Sequence, residues 1–140
     1  MSPGILFVCH GNICRSPMAV GIARKRLGNG TIAESAGIAP SGGKATEEAV
    51  LVMKAVYGVD ISGHRPRGFA DVDLALFDYV IAMDLSIYTR LKESDQVPEE
   101  KLFGWDIEDP IGQGYQTYKQ AAKKIEKRLE QFLENRSLGV

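Results

Sequence analysis

Cys9 and Arg15 are separated by five residues, and Ser16 and Pro17 follow them directly. A cysteine and an arginine brought to one point can hold a phosphate and attack it. Arginine presents a planar fork of donors that suits two phosphate oxygens. A thiol beside an arginine at a helix N-terminus gives up its proton below the ordinary value of about 8.5. The resulting thiolate can form a covalent intermediate with phosphorus. The five residues between them are His10, Gly11, Asn12, Ile13 and Cys14. If they form a tight loop, their backbone N–H groups converge on one point, which makes an anion site. Nucleophilic displacement at phosphorus also needs an acid for the leaving oxygen. Asp109 is the candidate, with Glu108 beside it as the alternative. Pro110 keeps Asp109 extended and so helps to fix its direction.

The elements that must position these groups are legible nearby. Residues 5–8, Ile-Leu-Phe-Val, form a short apolar run of β-favouring residues, as in a strand covered on both faces. Ser16 is a good N-cap and Pro17 suits the first position of the helix that follows. The pattern therefore reads strand, loop, helix, with the chemistry in the loop. Asp109 lies in a second loop, residues 105–114, marked by three carboxylates and two glycines.

Other readings compete for the same residues. Cys9 and Cys14 could join His10 and His64 as metal ligands, although Cys-x4-Cys with two unpaired histidines is a loose pattern. Cys9 could be buried and inert. A nucleotide-binding loop is excluded, since no Gly-Lys-Ser/Thr follows. Two roles stay open for Cys14: packing, or trapping an oxidised Cys9 as a disulfide.

The rest of the chain fits an α/β domain. It has 140 residues, 44% of them apolar and 25% charged, enough for one domain with a real core across residues 1–140. A formal net charge of −1 gives no footprint for general binding to nucleic acid or membrane. Two cysteines without a secretory segment fit a reducing, cytoplasmic setting. Helical spacing predicts a helix over 17–27, stopped by Gly28-Asn29-Gly30. Its basic run, Arg24, Lys25 and Arg26, reads as a solvated face matched to the dipole. A strand follows over 31–36, and Thr46 caps a second helix that ends at Gly58. Arg65 and Arg67 lie in a polar loop and read as solvated. Residues 79–83 form a third strand, after which Asp84 caps a helix over 87–91; a catalytic role for Asp84 is conceivable, and capping is the simpler account. Leu102 and Phe103 mark a short fourth strand, and residues 115–135 a long helix with one apolar face. Alternating strands and helices imply right-handed βαβ units and a parallel sheet.

The stretch Val8-Cys9-His10-Gly11-Asn12-Ile13-Cys14-Arg15-Ser16-Pro17 resembles the signature of the low-molecular-weight protein tyrosine phosphatases. So do Ser35-Ala36-Gly37, Asp60-Ile61-Ser62-Gly63-His64-Arg65, residues 77–84 and Asp109-Pro110. The resemblance implies a three-layer, doubly wound, four-stranded parallel sheet in the order 2-1-3-4, with helices on both faces. It implies hydrolysis of phosphotyrosine in proteins, without metal or cofactor. Cys9 would be the nucleophile, Arg15 the phosphate ligand and Asp109 the general acid and base, with residues 10–16 around the phosphate. It also implies that Asn12, Ser16, Ser35 and His64 form a hydrogen-bond network supporting the loop. Residues 37–44 would wall the cleft; they carry no aromatic residue, which leans toward bacterial members, including the protein-arginine phosphatase branch. Ile13 leans the other way, since that branch carries threonine there. Arsenate reductases share the fold, but those that resemble this chain pass oxidation along additional cysteines; a version that uses a small external thiol stays open. A non-catalytic phosphate-binding module is the remaining alternative.

Overall fold

The computed structural model describes residues 3–28 and 30–136. Asn29, named above in the helix stop, lies outside the described residues.

Four strands form one parallel sheet in the order β2-β1-β3-β4: β1 (Ile5–Cys9), β2 (Ala33–Gly37), β3 (Tyr79–Ala82) and β4 (Leu102–Gly104). β1 is flanked on both edges, and Ile5, Leu6, Phe7 and Val8 are all fully buried. That is why its sequence is a continuous apolar run rather than an alternation. Helix α1 (Arg15–Leu27) carries the chain from β1 to β2, and α3 (Leu85–Ser94) from β3 to β4. The two crossovers step in opposite directions along the sheet, so right-handed connections put α1 and α3 on opposite faces. The order reverses beside β1, and the crevice that results opens at the carboxyl ends of β1 and β3. Cys9 ends β1, and Asp84 follows β3 by two residues.

Helix α2 (Glu47–Val52) starts where Thr46 accepts the Ala49 N–H at 3.4 Å. It does not run as one α-helix to Gly58. Residues Met53–Tyr57 widen into a π-helical turn before Gly58 closes the segment with φ +68°. Helix α4 (Tyr115–Asn135) buries the apolar face expected of it, from Tyr118 through Leu133. Near its end Phe132 meets Tyr79 and Phe103 edge-on, with ring centroids 5.0 and 5.3 Å away. The Arg136 guanidinium caps this aromatic cluster, 4.1 Å above the Phe132 ring. No described helix is long and apolar enough to cross a membrane.

β2 is an edge strand, and arginines rather than another strand occupy its outward carbonyls. Arg24 donates to the Ala33 carbonyl at 2.8 Å and Arg67 to the Ser35 carbonyl at 3.1 Å. Charged groups on an edge also block pairing with a second sheet.

Candidate active site

The chain leaves β1 at Cys9 and enters α1 at Arg15, so residues 10–14 form the loop. The helix starts earlier than local preferences suggest. Its N-cap is Cys14, with no side-chain cap, and Ser16 and Pro17 are already inside the first turn. The Ser16 hydroxyl is needed elsewhere: it lies 2.9 Å from Cys9 Sγ and accepts from Asn12 Nδ2 at 2.8 Å. Pro17 is tolerated because first-turn N–H groups have no partner within the helix. Uncapped N–H groups at this helix start remain available to an anion.

Asn12 is the residue on which the loop turns. It has φ +58°, is fully buried, and is held from several sides. Its amide also donates to Ser35 Oγ at 2.8 Å, and its Oδ1 accepts the Arg67 N–H at 2.9 Å. Its carbonyl accepts from His64 Nε2 at 2.6 Å. Burial pushes the His64 imidazole below its usual pKa, and the nearby Arg67 charge adds to this against the opposing bond to Asn12. Asn12 thus joins Ser16, Ser35 and His64 by hydrogen bonds. Arg67 belongs to this set as well, although its polar loop reads as solvated.

Residues 37–46 are laced along the same loop. The carbonyls of Cys9, His10, Gly11 and Ile13 accept the N–H groups of Ile38, Ala39, Ser41 and Thr46 at 3.1, 2.8, 3.2 and 2.8 Å. The approach is close enough to require glycine at position 37. A Cβ there would stand 2.8 Å from the His10 carbonyl oxygen and 3.0 Å from the Asn12 nitrogen. His10 itself is exposed, and Ile13 is half-buried against the wall segment.

Arg15 is 2% exposed and is fixed by two partners. Its Nη1 donates to Asp84 Oδ2 at 2.7 Å and to the Ile107 carbonyl at 2.9 Å. Asp84 also caps α3 through the Ile87 N–H at 2.9 Å, so the capping role is present and a second role is added to it. Burial raises the Asp84 carboxyl, but its bonds to Arg15 and to the α3 N–H groups outweigh this and hold it below the usual carboxylate range.

Of the two adjacent candidate acids, Asp109 is the one near Arg15, with Oδ2 3.6 Å from Nη2. Its Oδ1 accepts the Ile111 N–H at 3.1 Å. The loop that carries it is anchored upstream. Trp105 and Ile107 donate to the Ala82 and Met83 carbonyls at 2.8 and 2.9 Å. Arg128 of α4 holds both oxygens of Asp106 at 2.8 and 3.0 Å, and with Lys124 keeps that carboxyl strongly ionised.

Cys14 turns away from this cluster. Its sulfur is 3.3 Å from the buried Tyr118 hydroxyl and 3.8 Å from Thr46 Oγ1. Burial pushes the thiol up, despite both hydrogen bonds. The packing role is visible in this geometry. The metal reading would need Cys9, Cys14, His10 and His64 to converge. Cys9 meets Ser16, Cys14 meets Tyr118 and His64 meets Asn12, and the described residues contain no group of three or more His, Cys, Asp or Glu placed to hold a metal.

A parallel sheet whose central strand ends in a cysteine, a loop and a helix-borne arginine defines a class of α/β domains with a thiol and an anion site at one sheet edge. The family model described as low molecular weight phosphotyrosine protein phosphatase matches residues 4–138, and the chain belongs to that family of phosphoric monoester hydrolases. A low molecular weight protein tyrosine phosphatase from T. tengcongensis is 38% identical and superposes with a TM-score of 0.86, covering 96% of this chain and 99% of its own. The YwlE arginine phosphatase of Geobacillus stearothermophilus is 28% identical with a TM-score of 0.85, covering 96% and 93%. An arsenate reductase of Staphylococcus saprophyticus is 31% identical over 94% of this chain and 96% of its own length.

Proposed function

We propose that the protein hydrolyses phosphotyrosine in proteins, and small aryl phosphates, through a phosphocysteine on Cys9. The observation that carries this reading is the meeting of Arg15 with Asp109, 3.6 Å apart, together with a Cys9 sulfur 2.9 Å from the Ser16 hydroxyl at the end of β1. The phosphate dianion enters the loop of residues 10–16. Backbone N–H groups hold its oxygens together with the Nε and Nη2 hydrogens of Arg15. Asp84 and Ile107 occupy Nη1, which fixes the plane of the guanidinium. The Cys9 thiolate attacks phosphorus in line as the P–O bond to the phenol breaks, and Asp109 gives its proton to the departing oxygen. Water then attacks the phosphocysteine. Asp109 takes the proton of that water, and the Ser16 hydroxyl stabilises the departing sulfur. Positioning and charge stabilisation dominate phosphoryl transfer, so one arginine and a ring of amides can supply the charge stabilisation that a metal ion supplies in other phosphoryl-transfer sites. Two free thiols, Cys9 and Cys14, suit action in a reducing cytoplasm.

Ile13 supports the aromatic substrate class. A Cβ placed on Gly42 would lie 3.6 Å from Ile13 Cγ2, so this side chain borders the wall segment at the cleft. It offers apolar contact to a phenyl ring and no acceptor for a guanidinium. A polar group left unsatisfied costs about 1–3 kcal/mol, which corresponds to roughly a tenfold to hundredfold bias. The aromatic-free wall favours the arginine-phosphatase reading instead. Arsenate reduction stands further off, because Cys9 and Cys14 are the only cysteines in the chain. A panel of phosphotyrosine, phosphoserine and phosphoarginine peptides separates these readings. Wild type should prefer phosphotyrosine, and Ile13→Thr should shift turnover toward phosphoarginine. A wild type that already prefers phosphoarginine would assign the choice to the wall, and arsenate turnover exceeding phosphatase turnover would replace the reading.

A further inference from the structure

A recess of about 760 Å³ lies between α1, β2 and the segment from Tyr57 to Arg67. It is separate from the mouth where Arg15 meets Asp109. Ser35, His64 and Arg67 line it, and these are three of the groups that hold Asn12. Whatever fills the recess therefore touches the clamp that sets the catalytic loop.

The charge in the recess is unbalanced. Arg24, Lys25, Arg65 and Arg67 line it against the carboxylates of Glu34 and Asp60. Glu34 is shared between Arg24 and Arg67 at 3.6 and 3.5 Å, and Lys25 donates to the Tyr57 carbonyl. Arg65 has no ion-pair or hydrogen-bond partner among the described residues. Two positive charges are thus in excess, the complement of one phosphomonoester dianion. Val20 and Ile61 supply apolar wall for the body of such a molecule. The Ser35 hydroxyl accepts from Asn12, so its own hydrogen can be donated into the recess.

We propose that this recess is a second anion site for a small organic phosphate, and that its occupancy reaches the catalytic loop through Ser35, His64 and Arg67. The proposal rests on the reading of residues 10–16 as the catalytic phosphate site. The ligand is recognised by a dianionic phosphoryl group at Arg65 and Arg67 and an apolar body along α1.

The test uses the whole chain and benzylphosphonate, which cannot be hydrolysed, followed by calorimetry and by NMR of the Asn12 side-chain amide. Two sites are expected. Vanadate equimolar with the protein, enough to fill only the loop that offers it a thiolate, should displace the phosphonate from the catalytic loop and leave one site, whose filling shifts the Asn12 amide. Arg65→Glu should weaken that remaining site by about tenfold or more, and Asp60→Asn should tighten it about threefold. Vanadate binding in both variants reports an intact loop. The proposal is overturned if vanadate removes all phosphonate binding, if the remaining site ignores Arg65→Glu, or if its filling leaves Asn12 unmoved. Absence of any vanadate-sensitive site would instead count against the catalytic reading.

Discussion

Asp84 divides its carboxylate between two elements: Oδ2 holds Arg15 at 2.7 Å and Oδ1 caps α3 at 2.9 Å from the Ile87 N–H. One side chain thus ties the buried arginine at the start of α1 to the end of the strand next to it. Asp84→Asn keeps the cap and removes the charge facing a nearly fully buried guanidinium. A hydrogen bond between charged groups is worth about 1.5–3 kcal/mol, and the partial exposure of Asp84 places the loss near the lower end. Urea denaturation should show it, together with a several-fold drop in kcat/KM. The pH dependence has a definite sign. The folded carboxyl is held low, so its contribution is complete above the unfolded value of about 3.9 and is lost as pH falls through the lower folded value. The stability gap between wild type and Asp84→Asn should therefore close only in acid. A gap that persists unchanged at the lowest pH would mean the ion pair is not its source.

Asp109→Asn should slow hydrolysis of phosphotyrosine and other aryl phosphates with poor leaving groups by about 10²-fold or more. Substrates whose leaving groups are strongly acidic need little protonation and should suffer less. A leaving-group series compared between the two proteins checks this. Equal losses across the series would remove Asp109 as the acid and turn attention to Glu108.

Ser16→Ala should separate the two chemical steps. Attack by Cys9 continues, but the departing sulfur loses the hydroxyl 2.9 Å away. Loss of that hydrogen bond should slow dephosphorylation by roughly tenfold or more. Stopped-flow measurement should then show a burst of phenol followed by a slow steady state. A proportional slowing of both phases would place Ser16 in loop support through Asn12 alone.

Gly37→Ala tests the close packing of β2 against the loop. The added Cβ meets the His10 carbonyl and the Asn12 nitrogen, both backbone atoms that cannot swing aside. Such overpacking costs about 1–3 kcal/mol. The vanadate inhibition constant should rise along with the loss in stability, because the displaced atoms belong to the loop. Lower stability with unchanged vanadate affinity would show that the loop absorbs the methyl group.

Much of this architecture was legible in the sequence because its signals are local. A continuous apolar run, Cys-x5-Arg and alternating helical and strand patterns lead to β1, the loop and the sheet. Thr46 and Asp84 cap the helices that their positions suggest. The start of α1 was not legible, since Ser16-Pro17 has the local preferences of a helix boundary, and only the demands of Cys9 and Asn12 on the Ser16 hydroxyl override them. The π-helical turn at Met53–Tyr57 has no residue signature. The pairings Arg15–Asp84, Asn12–Arg67 and Cys14–Tyr118 join residues 69, 55 and 104 positions apart. No pattern within either segment announces such contacts; the fold creates them by bringing strand ends and the first turns of α1 and α4 together.

On the proposed route the phosphoryl group passes through Cys9. Mass spectrometry of protein quenched in acid during turnover of an aryl phosphate tests it most directly, with Ser16→Ala used to accumulate the intermediate. One phosphoryl group is expected on the peptide containing Cys9, absent from Cys9→Ser, which should retain vanadate binding but lose turnover. A quenched enzyme without phosphate on Cys9, together with substantial turnover by Cys9→Ser, would contradict it.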